Sequence, residues 1–187
     1  LDSAVSSRLA ALLPPEAWLT ADEDTRAYEC DGLTLYRTRP AAVALPETEE
    51  QVAAVLRTCH RLNVPVVARG AGTGLSGGAL PHKLGVTMSL GKFNQIVSID
   101  RASRTARVQC GVRNLAISEA VAPLGLYYAP DPSSQIACTI GGNVAENSGG
   151  VHCLKYGLTL HNGLKVRGFT GAGEPVEFGS DALDAPG

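Results

Sequence analysis

The stretch from Val64 to Ala79 constrains this chain more than any other. Val64, Val66 and Val67 make an apolar, β-branched run that reads as a short buried strand. It leads into a loop with five glycines, Gly70, Gly72, Gly74, Gly77 and Gly78. Glycine adds nothing to a core and costs chain entropy. A folded domain keeps it where backbone takes positive φ or meets a ligand closely. Successive exposed N–H groups form a concave nest for anions, and Thr73 and Ser76 add hydroxyl donors. The loop reads as a cradle for pyrophosphate.

Other readings compete for these residues. Gly72 to Gly77 fits G-x-G-x-x-G, but the dinucleotide fingerprint needs a helix to open at the loop. Gly77, Gly78 and Pro81 follow instead, with no periodic apolar run. No Gly-Lys-Ser/Thr ends the glycine run, so a Walker loop is excluded. Gly74 to Gly78 fits G-x-S-x-G, yet that nucleophile elbow also requires a helix directly after its serine. A plain surface loop without a ligand remains the bland alternative.

Composition removes several function classes. Sixteen basic residues face eighteen acidic ones, for a net charge of −2 over 187 residues. That balance offers no basic footprint for nucleic acid or an anionic membrane. No apolar run approaches the roughly 20 residues that span a bilayer, so no transmembrane segment is expected. The first residues lack the charged and apolar regions of a signal peptide. Because the chain begins with Leu1, its natural start is expected to lie outside it. Cys30, Cys59, Cys110, Cys138 and Cys153 are scattered and odd in number, which points to reduced thiols in a cytoplasmic protein. His60, His82, His152 and His161 are dispersed as well, and no metal site is expected.

Along the chain, Val5, Leu9, Leu12 and Leu13 suggest a short peripheral helix that stops at Pro14-Pro15. Residues 21–39 look polar and irregular, with Asp22-Glu23-Asp24 a solvated acidic turn. Arg37 and Arg39 read as surface-paired cations, or alternatively as partners of an anion. Ala42 to Leu45 is a strand closed by Pro46. Thr48 with Gln51 has the form of a capping box, and Val52, Val55, Leu56, Cys59 and Leu62 recur at helical spacing. With the Val64 strand this makes a β-α-β unit with a right-handed crossover. Short strands follow at Val86 to Leu90, Ile96 to Ile99 and Ala106 to Gln109. A helix is expected over 114–121, with Leu115, Ile117 and Val121 as core candidates, and a hairpin turns at 170–174.

A second constellation runs from Ala129 to Gly150. Pro130 and Pro132 stiffen one limb, and Gly141-Gly142 and Gly149-Gly150 allow close backbone approach. Small polar groups lie between, and almost nothing can build a core. Such a stretch in a folded domain is usually functional. It suits a wall against a large, flat, polar cofactor.

These residues carry a resemblance. The Arg69 to Gly78 loop, Pro130-Asp131-Pro132-Ser133-Ser134 and the Thr139 to Gly150 run resemble the FAD domain of the vanillyl-alcohol oxidase and p-cresol methylhydroxylase superfamily. Within it they are similar to the branch of glycolate oxidase flavoprotein subunits and D-lactate dehydrogenases. The likeness extends through Asp31-Gly32-Leu33, the Tyr36 to Pro40 run and Val151 to Gly157. It spans about residues 28–184.

The resemblance implies an α+β, two-lobed PCMH-type FAD-binding domain, a small β-α-β lobe plus a larger mixed-sheet lobe, incomplete at the C-terminus. A lead-in would cover 1–39, a first lobe 40–100 and a second lobe 101–187, whose sheet would start from about Val86. Ala68, Arg69, Gly70, Ala71, Gly72, Thr73 and Gly74 would cradle the FAD pyrophosphate through their backbone amides. Pro130 and Asp131 would join the site. Cys138 and Thr139 would lie along the flavin and ribityl side. Gly141, Gly142 and Asn143 would admit close backbone approach, and Glu146, Asn147, Ser148 and Gly149 would continue towards adenine. No residue matches the family's covalent attachment points, so noncovalent FAD is expected.

The implied activity is oxidation of glycolate to glyoxylate, with D-lactate or another D-2-hydroxy acid as the alternative substrate. Companion flavin and iron–sulfur subunits would carry electrons to a quinone, from a cytoplasmic position peripheral to the inner membrane. Family members are longer, so an N-terminal fragment is expected, without catalytic residues of its own and with weak FAD binding. A complete non-catalytic flavin module is the reading of another class.

Overall fold

The computed structural model describes residues 1–181. The first part of the chain runs α1 (Ser3–Ala10), β1 (Trp18–Leu19), α2 (Asp22–Thr25), β2 (Ala42–Ala44), α3 (Glu49–Arg61), β3 (Val66–Arg69) and β4 (Val86–Ser89), and its four strands form the central sheet. Strand order is β1-β2-β4-β3, with β2, β4 and β3 mutually parallel and β1 antiparallel at the edge. Ala42, Val43 and Ala44 are fully buried, and Val86, Thr87 and Met88 nearly so. Continuous burial on both faces is the mark of parallel strands covered by helices.

α3 starts as its sequence requires. The Thr48 side chain accepts from the Gln51 N–H, and the Gln51 side chain reaches back to the cap backbone. Val52, Val55 and Cys59 face the sheet. Asn63, at φ 52°, ends the helix in the left-handed region, which asparagine tolerates.

Three expectations need correction. The N-terminal helix is not peripheral: Leu9, Leu13 and Ala17 join the core cluster with Val55, Val86 and Met88. Its apolar stripe is too well filled to be left in water. The β-α-β unit is wider than expected, because β4 lies between β2 and β3. Val86 therefore opens the middle strand of the first sheet, not the sheet of a second lobe. The acidic stretch at Asp22 is a turn of helix, and the segment after it buries Thr25 and Asp31. Arg37 and Arg39 pair with Glu29 and Asp22, each through an exposed guanidinium, in keeping with the surface reading.

Beyond the sheet, β5 (Ile96–Asp100) and β6 (Thr105–Val108) form an antiparallel hairpin. α4 (Asn114–Val121) buries Ile117 and Val121 and leaves Leu115 half-exposed. Then come α5 (Ile140–Glu146), α6 (Cys153–Tyr156) and α7 (Thr159–Asn162). The second antiparallel hairpin, β7 (Lys165–Phe169) with β8 (Pro175–Gly179), turns where the glycines predict. Its turn glycine, Gly173, lies against the Ala53 carbonyl and Arg57 on α3. Arg167 also bonds Glu49 there at 2.6 Å.

Candidate functional site

The glycine loop leaves β3 at the carboxyl end of the parallel sheet, where open α/β sheets bind ligands. Its shape is held from behind. The Arg69 guanidinium is buried and donates to the carbonyls of Cys30 (2.8 Å) and Ala79 (3.3 Å), so it fastens both ends of the loop to the lead-in segment. It also stands 5.7 Å from the Tyr28 ring centre, a cation–π distance. Asp31 accepts from the Gly77 N–H at 3.1 Å and the Leu33 N–H at 3.0 Å. The Gly32 N–H donates to the Gly74 carbonyl at 2.9 Å. The lead-in thus supplies three struts to the cradle. The sequence reading gave Arg69 a place in the cradle through its backbone amide; its side-chain donors are taken by protein carbonyls.

The second constellation is partly a helix. Where a wall of small polar residues is expected, residues 140–146 wind into α5, with Asn147 at φ 51° as its left-handed cap. Glycines weaken helices, so tertiary pins hold this one. Ile140 N–H donates to the Val112 carbonyl and Gly141 N–H to the Cys110 carbonyl. Arg113 and Thr139 form an antiparallel bridge. Asn114, itself buried, donates through Nδ2 to the Pro130 carbonyl at 3.0 Å.

The loop and α5 meet as two faces of one seam. A Cβ on Gly70 would overlap the Thr139 hydroxyl, and one on Gly74 would overlap the Glu146 carboxylate. The first would displace the Thr139 hydroxyl, whereas the second would only push aside the exposed Glu146 side chain. Thr139 stands at the N-cap of α5 yet makes no capping hydrogen bond there. Its Oγ1 and the Nδ2 of Asn143 are buried and have no hydrogen-bond partner. Such groups cost about 1–3 kcal/mol each unless something satisfies them. Two unpartnered donors beside a glycine nest fit the oxygens of an anionic group such as a diphosphate.

The other expected site residues divide. Ala71, Gly72 and Thr73 lie in the loop and Ala68 near the end of β3, with Cys138 buried and Gly142 exposed. Asp131, Asn147, Ser148 and Gly149 face a different neighbour, the segment over 152–160. Asp131 Oδ2 takes the His152 Nδ1–H at 2.6 Å, which holds its carboxyl below the usual carboxylate range. Asn147 accepts from the Leu160 N–H, the Ser148 carbonyl takes the Thr159 hydroxyl, and Gly149 lies against Leu158 and Cys153. Sequence reasoning missed the supporting part played by Asp31 and the partnership of His152. A D-G pair reads only as a turn, and a contact 46 residues away leaves no local pattern.

Among the described residues no helix is long and apolar enough to cross a membrane. No group of His, Cys, Asp and Glu side chains there could hold a metal ion.

Comparison with known proteins bears on the same residues. The chain is 66 % identical over 169 residues to the glycolate oxidase subunit GlcD of Escherichia coli (strain K12), covering 90 % of this chain and 34 % of that protein. It is 35 % identical over 169 residues to a D-lactate dehydrogenase of Anaerostipes hadrus, covering 90 % of this chain and 35 % of that one. The chain thus spans about a third of the length of these curated relatives. Among solved structures, p-cresol methylhydroxylase superposes with a TM-score of 0.77 over 93 % of this chain and 34 % of its own, at 20 % identity, so the two share a fold. Residues 40–179 match the family described as FAD binding domain. The chain belongs to this family, and FAD is its cofactor.

Proposed function

We propose that the protein carrying this chain oxidises glycolate to glyoxylate, and that this chain is its FAD-holding part. The observation that carries the reading is the likeness to the Escherichia coli glycolate oxidase subunit, which extends over nine-tenths of the chain. FAD, when bound, supplies a two-electron acceptor for a hydroxy-acid carbon. The residues described here do the holding. Loop amides of Gly70 to Gly74 and the free donors of Thr139 and Asn143 take the diphosphate. Arg69, Asp31 and Gly32 keep the loop in the shape that presents those amides. The seam is preorganised, so little ordering cost falls on binding.

The cofactor is held without a covalent bond in this reading, because no residue of the chain matches the family's covalent attachment points. Acid precipitation should leave the flavin in the supernatant. Companion flavin and iron–sulfur subunits accept the electrons, and association with them keeps the protein cytoplasmic and peripheral to the inner membrane; the relative's description as a subunit supports the presence of partner subunits.

The test is anaerobic reduction of the full-length flavoprotein by glycolate and by D-lactate. Faster bleaching of the flavin by glycolate is expected. Reduction by D-lactate alone would assign the substrate suggested by the Anaerostipes relative, and reduction by neither would remove the enzyme reading.

A further inference from the structure

The α5 side of the seam is not chemically uniform along its length. Thr139, Asn143 and Glu146 stand at i, i+4 and i+7, which places them along one stripe. At the Gly70 end lie the Thr139 hydroxyl and, one turn on, the Asn143 amide, both buried and unpartnered. Each offers a hydrogen to an acceptor. At the far end the Glu146 carboxylate rests on Gly74, and its Oε1 lies 3.9 Å from where a Cβ on Gly78 would be. Glu146 makes no hydrogen bond or ion pair among the described residues. It is also the last residue of α5, a place where helices favour cations over anions. Helix stability therefore does not account for it. A carboxylate accepts hydrogen bonds and donates none, so beside a phosphate nest it repels the phosphate and attracts hydroxyl groups.

We infer that Glu146 sets the polarity of the bound dinucleotide. The diphosphate is drawn towards the Gly70 end of the loop, and Glu146 accepts hydrogen bonds from a hydroxyl-bearing sugar portion of the cofactor where the loop passes beyond Gly74. The inference rests on the seam being the seat of FAD. Two parts of FAD carry such hydroxyls, the adenosine ribose and the ribityl chain, and the chemistry of recognition is the same for both.

The experiment uses the full-length protein carrying this chain, stripped of flavin. It is titrated with FAD, with an FAD analogue lacking the adenosine 2′-hydroxyl, and with one lacking the ribityl 2′-hydroxyl, while flavin fluorescence is followed. Glu146→Gln and Glu146→Ala are titrated alongside, with circular dichroism to verify their folding. One analogue should bind the wild type about tenfold more weakly than FAD, because a hydrogen bond to a charged acceptor is lost. That discrimination should vanish in Glu146→Ala and be reduced in Glu146→Gln, and the affected analogue identifies the sugar. Equal binding of all three ligands to the wild type overturns the inference, as does discrimination that persists in Glu146→Ala. Tighter FAD binding by Glu146→Gln overturns it too, since the carboxylate would then only repel. A wild-type protein that takes up no flavin sinks the reading of the seam itself, a result distinct from the others.

Discussion

The four-stranded sheet and the seam beside it bury comparable groups for opposite ends. In the sheet and the α3 face upon it, Val43, Val55, Val86 and Met88 are at most 2 % exposed. In the seam, Thr139 and Asn143 are 6 % and 1 % exposed, yet each keeps a polar atom without a partner. Area removed from water stabilises the first region by about 25 cal/mol per Å². The second loses free energy on folding and holds its shape through struts from elsewhere, Arg69 and Asp31 on one side and the pins to Val112 and Cys110 on the other. Stability and binding are thus lodged in separate residues. Substitutions in the two regions should separate unfolding from flavin affinity.

The sharpest break is expected from Leu9→Ala. Leu9 is fully buried, so the cavity should cost about 2–5 kcal/mol of stability, read by urea unfolding. The folded fraction should keep its flavin affinity. If affinity falls in proportion, the two regions are not separate. Gly70→Val acts the other way. Its branched side chain would displace Thr139, and loss of that donor to a charged diphosphate, about 1.5–3 kcal/mol, should weaken FAD binding by about ten- to a hundredfold. The thermal midpoint of the flavin-free protein should move far less than in Leu9→Ala. Thr48→Ala removes the capping box of α3 and should cost about 1 kcal/mol, again in stability alone.

The smallest effect concerns pH. The hydrogen bond from His152 keeps the Asp131 carboxyl below its ordinary value. Because the native value is depressed, the stabilisation is present above the ordinary carboxyl pKa of about 3.9 and is lost as pH falls through the native value. In His152→Ala the Asp131 titration, followed by carbon chemical shifts, should move up towards the ordinary value. Wild type and variant should converge in stability at the acid end. No movement would show that this exposed clasp holds nothing.

Legibility in the sequence followed the same division. α3 and its cap could be read because periodicity and capping are local, and so could the hairpin turning near Gly173. The cradle was visible because five glycines in one loop have few structural uses. What escaped reading was set by distance along the chain. β4 enters between β2 and β3 because the sheet needs a central apolar strand, and nothing local in residues 86–89 states that neighbour. Leu9 looked peripheral because a short stripe does not announce what it will pack on. α5 was hidden because Gly141 and Gly142 are poor helix formers, and only the pins to residues 110–112 make that turn hold. The part the Arg69 side chain plays behind the loop escaped as well, because its acceptors, the carbonyls of Cys30 and Ala79, have no pattern pointing to them.

The bond between Arg167 and Glu49 joins positions 118 residues apart. Closure entropy grows only with the logarithm of length, about 0.6 kcal/mol for each doubling. Compared with a 15-residue loop, the extra thermodynamic penalty is therefore about 2 kcal/mol. Time is the greater cost, since contacts so remote in sequence are slow to form. A ribosome must release the chain well past Arg167 before the hairpin can reach α3, by which point the sheet's own strands have long been available to pair.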